Sequence, residues 1–152
     1  MFKMDRSSNR QDEPGVARWA SEDGSVLLRL VLKLDAAACG ALGVASLAGA
    51  PVLDDLLGVP VVLLAPVGVF LVAWAVVLWV ISSRPRVSKT AAWVVILFNL
   101  AWTVDSAVVL AAGWFSLTAI GAAFILAQAA AVVIIAAAQF YALRRAYPVR
   151  PA

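Results

Sequence analysis

The residues of this 152-residue chain that could do chemistry are few, and their positions are unusual. Asp35, Asn99, Asp105 and Gln128 each stand inside a run otherwise apolar enough to cross a bilayer. The stretch LFNLAWTVDSAVVL, residues 97–110, holds two of them. An Asp near the centre of a spanning helix costs about 2.5 to 3.5 kcal/mol on an insertion scale, and each Leu, Ile, Val or Phe returns roughly 0.3 to 0.6. Such residues between Val94 and Leu110 together return about 3 to 6 kcal/mol, so the helix still inserts. Asp105 is then expected to face the bundle or to be protonated, and either makes it a functional-site candidate.

Depth decides which of these groups can meet. At about 1.5 Å of rise per residue, Asp35 and Asn99 each lie roughly 12 Å from the inner end of their helices. Gln128 lies roughly 18 Å from the outer end of its own helix, which brings it level with them in a hydrocarbon core of about 30 Å. Asp35, Asn99 and Gln128 are therefore expected to form one hydrogen-bonded layer. Asp105 lies about 9 Å further outward, where the Trp102 indole, the Gln128 amide or a water is its available neighbour. The constellation has three readings. It is polar glue that fixes helix register, at about 0.6 kcal/mol per contact; or a proton or solute path, with Asp105 as its outer group and Asp35 as its inner one; or a means of binding a partner subunit.

Several chemistries are excluded. The chain has no His, which removes bis-histidine haem ligation, histidine metal sites and His-based triads. Cys39 is its only cysteine, so relays that need a cysteine pair are out, and among Ala and Gly it is expected to pack as a small apolar residue. CGALGVASLAG is spaced wrongly for a phosphate loop and lies within a span. Asp54-Asp55 is expected to cap a short surface helix of LDDLLG rather than to hold a metal. No catalytic, cofactor or metal residue is therefore assigned.

The elements that must position these residues follow from composition. The chain is 64% apolar and 14% charged, with a mean hydropathy of +0.95, and several apolar runs exceed the roughly 20 residues a spanning helix needs. This predicts an all-α integral membrane protein, a four-helix antiparallel bundle occupying residues 25–145. Its spans are expected at about 27–49, 60–82, 91–112 and 116–143, separated by APVLDDLLGVP, SSRPRVSKT and the tight turn GWFS. Ser88 or Thr90 is placed to cap the third helix. Residues 1–24 are polar and mixed in charge without an apolar signal core, and are expected to be a disordered or surface-lying tail; residues 146–152 form a short second tail.

Arg84, Arg86 and Lys89 lie between spans two and three, Arg144, Arg145 and Arg150 follow span four, and the other two loops hold no Lys or Arg. Both termini are accordingly expected in the cytoplasm, with the protein in a bacterial inner membrane. Arg29 and Lys33 can snorkel to the same face. The basic residues are spread over short segments with no recognition module, so nucleic acid is not an expected partner. Ala37, Ala41, Ala45 and Gly49 recur every fourth residue in span one, as do Ala119, Ala123, Ala127 and Ala131 in span four. Such stripes let helix backbones approach closely. They are expected to form a contact between spans one and four within the chain, the alternative being a dimer seam.

LRLVLKLDAAACGALG entering span one, LLGVP before span two, FNLAWTVDS in span three and GWFSLTAIGAAFILAQA through span four, closed by YALRR, carry a resemblance. Over about residues 27–145 the chain resembles a group of small, functionally uncharacterised four-span bacterial integral membrane proteins, and its helix layout is similar to that of DoxX-like membrane proteins. The resemblance implies the fold, supplies no substrate, and marks Asp35, Asn99, Trp102, Asp105 and Gln128 as a signature. Small multidrug exporters also have four short helices, but their hallmark is a glutamate in span one, where this chain has Asp35. The resulting expectation is a non-enzymatic accessory subunit that packs with itself or with a larger membrane complex. The competing expectation is an oligomeric proton-linked transporter or channel using Asp105 and Asp35.

Overall fold

The computed structural model describes residues 13–148, with side chains from Glu22 onward. These residues form five α-helices and no strand: α1 (Glu13–Ala48), α2 (Ala50–Leu57), α3 (Val61–Ser83), α4 (Lys89–Ala112) and α5 (Ala119–Ala146). All but α2 are long and apolar enough to cross a membrane; the shortest has 23 residues, about 35 Å against a hydrocarbon core of about 30 Å. The protein is a multi-pass, all-α membrane protein built as an antiparallel four-helix bundle. One end of the bundle carries Arg84, Arg86, Lys89, Arg144 and Arg145 and is called the basic end here. The other carries Asp54 and Asp55 and is called the acidic end.

The helix ends follow from local chemistry. Ser88 caps α4, accepting from the Ala91 N–H at 3.5 Å. Thr118 caps α5, accepting from the Gly121 N–H at 2.9 Å, and also donates its hydroxyl to Leu56 O at 2.6 Å. Pro51 lies in the first turn of α2, where a missing N–H costs nothing. Gly58 ends α2 in the left-handed region at φ 70°, and its N–H reaches Asp54 O at 2.8 Å. The Asp54 carboxylate accepts from Val61 N at 3.3 Å, so it caps the start of α3 and not the short helix to which it belongs.

The long helices are arranged in the order α3, α1, α5, α4. α1 packs against α3 and α5, and α5 against α4. Gly43 and Gly68 let α1 and α3 meet: a Cβ on Gly43 would lie 2.9 Å from both Gly68 O and Val72 N. The α3 and α4 backbones scarcely approach each other, and rings fill the seam between them. Trp74 and Phe98 lie 4.3 Å apart by centroid, with Phe70 at 5.5 Å from Phe98 and 6.3 Å from Trp102. Toward the basic end the bundle is closed by a solid apolar plug that includes Leu28, Leu32, Leu78, Val95, Ile96 and Leu143.

α1 begins at Glu13, so residues 13–24 are helical; residues 1–12 lie outside the described residues. One expectation needs correction. The small-residue stripes do not make the contact between spans one and four: Ala37, Ala41, Ala45, Ala119, Ala123, Ala127 and Ala131 are all exposed in the single chain, and Gly49 is half-buried at the α1–α2 break. The polar residues decide the rotation. Asp35 must turn inward, and Ala37, two residues on, then points about 200° away around the helix. The buried face of α1 runs instead through Leu28, Leu32, Asp35, Ala36, Gly43 and Ser46, and that of α5 through Ala136, Gln139, Ala142 and Leu143.

Candidate functional site

The buried polar residues gather in two groups at different depths. Nearer the basic end, Asp35, Asn99 and Gln139 are 2%, 4% and 1% exposed, a degree of burial that polar side chains tolerate only when fully paired. The Asn99 amide donates to Asp35 Oδ2 at 2.9 Å and to Gln139 Oε1 at 3.2 Å, and the Gln139 amide donates to Asp35 Oδ2 at 2.8 Å. The three side chains close a triangle across α1, α4 and α5. Cys39, one turn on from Asp35, sets its thiol 3.6 Å from Oδ1, so the sulfur serves this carboxyl group as well as packing. A carboxylate offers only acceptors, and both amides turn their NH2 ends toward it.

Gln128 is not in this layer. It accepts from the Trp102 indole N–H at 3.3 Å and donates to Ser106 Oγ at 3.2 Å, while Ser106 donates to Trp102 O at 2.8 Å. This second group joins α4 to α5 about 16 Å nearer the acidic end than Gln139, eleven residues away on α5. Measuring depth from the outer end of span four across a 30 Å core misplaces Gln128, because α5 has 28 residues and is about 42 Å long. Gln139 escapes that count. Counting back from Arg144-Arg145, the other marker of a membrane boundary, places it about 7 Å inside and in range of Asp35.

Asp105 is exposed in the single chain and has no hydrogen-bond partner among the described residues, so neither Trp102 nor Gln128, two of its three expected neighbours, bonds to it. It borders a cavity of about 280 Å³ at the acidic end, whose wall also includes Ser46, Trp102, Ser106, Trp114 and Gln128. A second, smaller cavity of about 110 Å³ lies deeper, bordered by Asp35, Asn99, Trp74 and Cys39. Leu42, Leu71, Trp102 and Gln128 belong to both walls and separate the two spaces. The Trp74 indole N–H is buried there without a hydrogen-bond partner.

No group of His, Cys, Asp and Glu among the described residues has the makings of a metal site. At the basic end, cations rest on ring faces: Lys33 lies 5.8 Å from Trp79, Arg144 5.3 Å from Phe140 and Arg145 4.8 Å from Tyr141. Arg29 donates to Pro85 O, and the Tyr147 hydroxyl donates to Val87 O at 2.6 Å, which ties the helix termini to the α3–α4 loop. No protein-family model matches the chain, and no curated protein or solved structure shows significant similarity to it.

Proposed function

We propose that the protein is a non-enzymatic accessory subunit of a bacterial inner-membrane assembly, with its basic end in the cytoplasm. The resemblance of residues 27–145 to small four-span bacterial membrane proteins supports this reading. The observation that carries this reading is the closed Asp35–Asn99–Gln139 triangle. Three hydrogen bonds join its side chains to one another, and an apolar plug of Leu28, Leu32, Leu78, Val95, Ile96 and Leu143 stands between it and the basic end. A proton or solute path through one chain would have to cross that plug. Polar groups paired in this way act as glue that fixes the register of three helices.

A second reading, an oligomeric proton-linked transporter, is favoured by Asp105 on the wall of the larger cavity. Reconstitution into liposomes containing a pH-sensitive dye separates the two. A subunit leaves the imposed pH gradient to decay as in empty vesicles, and it co-purifies from native membranes with one defined partner. Proton flux above the empty-vesicle rate that disappears in Asp105→Asn overturns the subunit reading.

A further inference from the structure

The larger cavity combines features that the subunit reading does not use. Its wall is mostly aliphatic and aromatic, with Leu63, Leu64, Leu71, Trp114 and Phe124 among its residues. It spans the α3–α4 seam, where side chains and not backbones close the bundle, so an apolar molecule has a lateral approach from the bilayer. Ser46 projects into it, is 5% exposed, and has no hydrogen-bond partner among the described residues. The other two buried serines behave differently: Ser82 and Ser106 return their hydroxyls to Trp79 O and Trp102 O on their own helices. An unspent hydroxyl in an apolar cavity is a polar contact held in reserve for something else.

The charge at this site points to what that is. Among the described residues Asp105 is the only ionisable one bordering the cavity, and its neighbours Trp102, Ser106 and Gln128 are committed to one another. No Lys or Arg occurs between Lys33 and Arg84 or between Lys89 and Arg144, so every cation on the bundle helices and their loops lies toward the opposite end. Among the described residues no cation pairs with Asp105, so the carboxyl group is open to a charge brought by a ligand. Trp102, Trp114, Phe115 and Phe124 around the same space offer ring faces, which attract a cation as well as apolar surface.

We propose that this cavity is a binding site for a lipophilic organic cation, an apolar and partly aromatic molecule carrying one ammonium-type charge. It enters from the bilayer, sets its charge against the Asp105 carboxylate and packs its body against the aliphatic wall, with the Ser46 hydroxyl available to a polar substituent. The site does not rest on the subunit reading: it stands whether or not the protein has a partner, and it would supply a substrate class if the protein transports.

The test is equilibrium binding of benzyldimethyloctylammonium to the full-length protein in phosphatidylcholine nanodiscs, with empty nanodiscs subtracted. The uncharged analogue, with carbon in place of the quaternary nitrogen, is measured alongside. The wild type should bind the cation about tenfold more tightly than the neutral analogue, the size expected of one ion pair reinforced by ring contacts. Asp105→Asn should bring the two affinities within about twofold while leaving neutral binding in place, and Asp105→Glu should keep the preference. Ser46→Phe, which fills the cavity, should weaken both ligands. Equal affinities in the wild type, or a cation preference that persists in Asp105→Asn, overturns the proposal. An unchanged thermal midpoint in Asp105→Asn keeps loss of fold from imitating loss of site. Failure of the subunit reading is seen separately, as proton flux or absence of a co-purifying partner.

Discussion

Asp35 makes no hydrogen bond with Gln128, although both are polar residues inside apolar helices. Its partners are Asn99 and Gln139. Replacing Asn99 by Leu removes two hydrogen bonds, leaving Gln139 Oε1 without its donor and Asp35 Oδ2 with the Gln139 amide alone, which should cost about 1 to 3 kcal/mol of stability. A cycle combining Asn99→Leu with Gln139→Leu should show coupling of about 0.5 kcal/mol or more, because the two share Asp35. The cycle pairing Asn99→Leu with Gln128→Leu should be additive. Denaturation midpoints in detergent decide between them, and strong coupling to Gln128 would restore the layer expected from depth counting. Asp35 and Asn99 were legible as a pair because each has a clear basic-end boundary from which to count. Gln139 was not, since the membrane thickness fixes only one end of a helix longer than the bilayer. The position of Asp105 was legible and its orientation was not, because hydropathy reports cost and carries no direction.

At the scale of elements, the ends of the four spans lie within about three residues of those read from the sequence, except that α1 begins at Glu13 and not near Leu27, since caps and breakers act locally. Ser88, Gly58 and Pro51 each act where they stand. Which helix touches which depends on rotation, and rotation depends on long-range pairing of the buried polar groups, which no local pattern records. The regular alanine stripes thus face outward, whereas the less regular pair Gly43 and Gly68 makes the close α1–α3 contact. Gly43→Val should push α1 from α3 and destabilise the bundle by about 1 to 3 kcal/mol, and Ala41→Val, on the exposed stripe, should be nearly neutral. If Ala41→Val proves as costly in detergent-solubilised monomer, the α1 face is wrongly assigned. Thr118 links elements in a different way. It caps α5 and holds the end of α2 through Leu56 O, so Thr118→Val should cost about 1 to 2 kcal/mol and loosen that end of the cavity first, seen as faster amide exchange at Leu57 and Gly121.

Across the whole molecule, charge is segregated along the bundle axis: arginines and lysines crowd one end, and Asp54 and Asp55 occupy the other. The segregation serves two purposes. It should direct insertion, because short loops rich in Lys and Arg stay on the cytoplasmic side, and among the described residues it leaves Asp105 without a cation, on which the proposed ligand site depends. Single cysteines placed by Ser83→Cys at the basic end and Ser116→Cys at the acidic end, in a Cys39→Ala background, test the first purpose. A membrane-impermeant maleimide added to intact spheroplasts should label the position created at 116 and spare the one at 83, with the pattern reversed in inverted vesicles. Because α3 and α4 are joined by the loop bearing Arg84, Arg86 and Lys89, changing all three to Gln removes most of the bias carried by that turn. Arg144 and Arg145 still hold the end of α5. The two basic segments act on helices that the Asp35 triangle binds together, so weakening one should produce a mixed population labelled at both positions, in place of a clean inversion. Clean inversion would mean that the loop alone sets the orientation and that the triangle forms only after the helices have been placed.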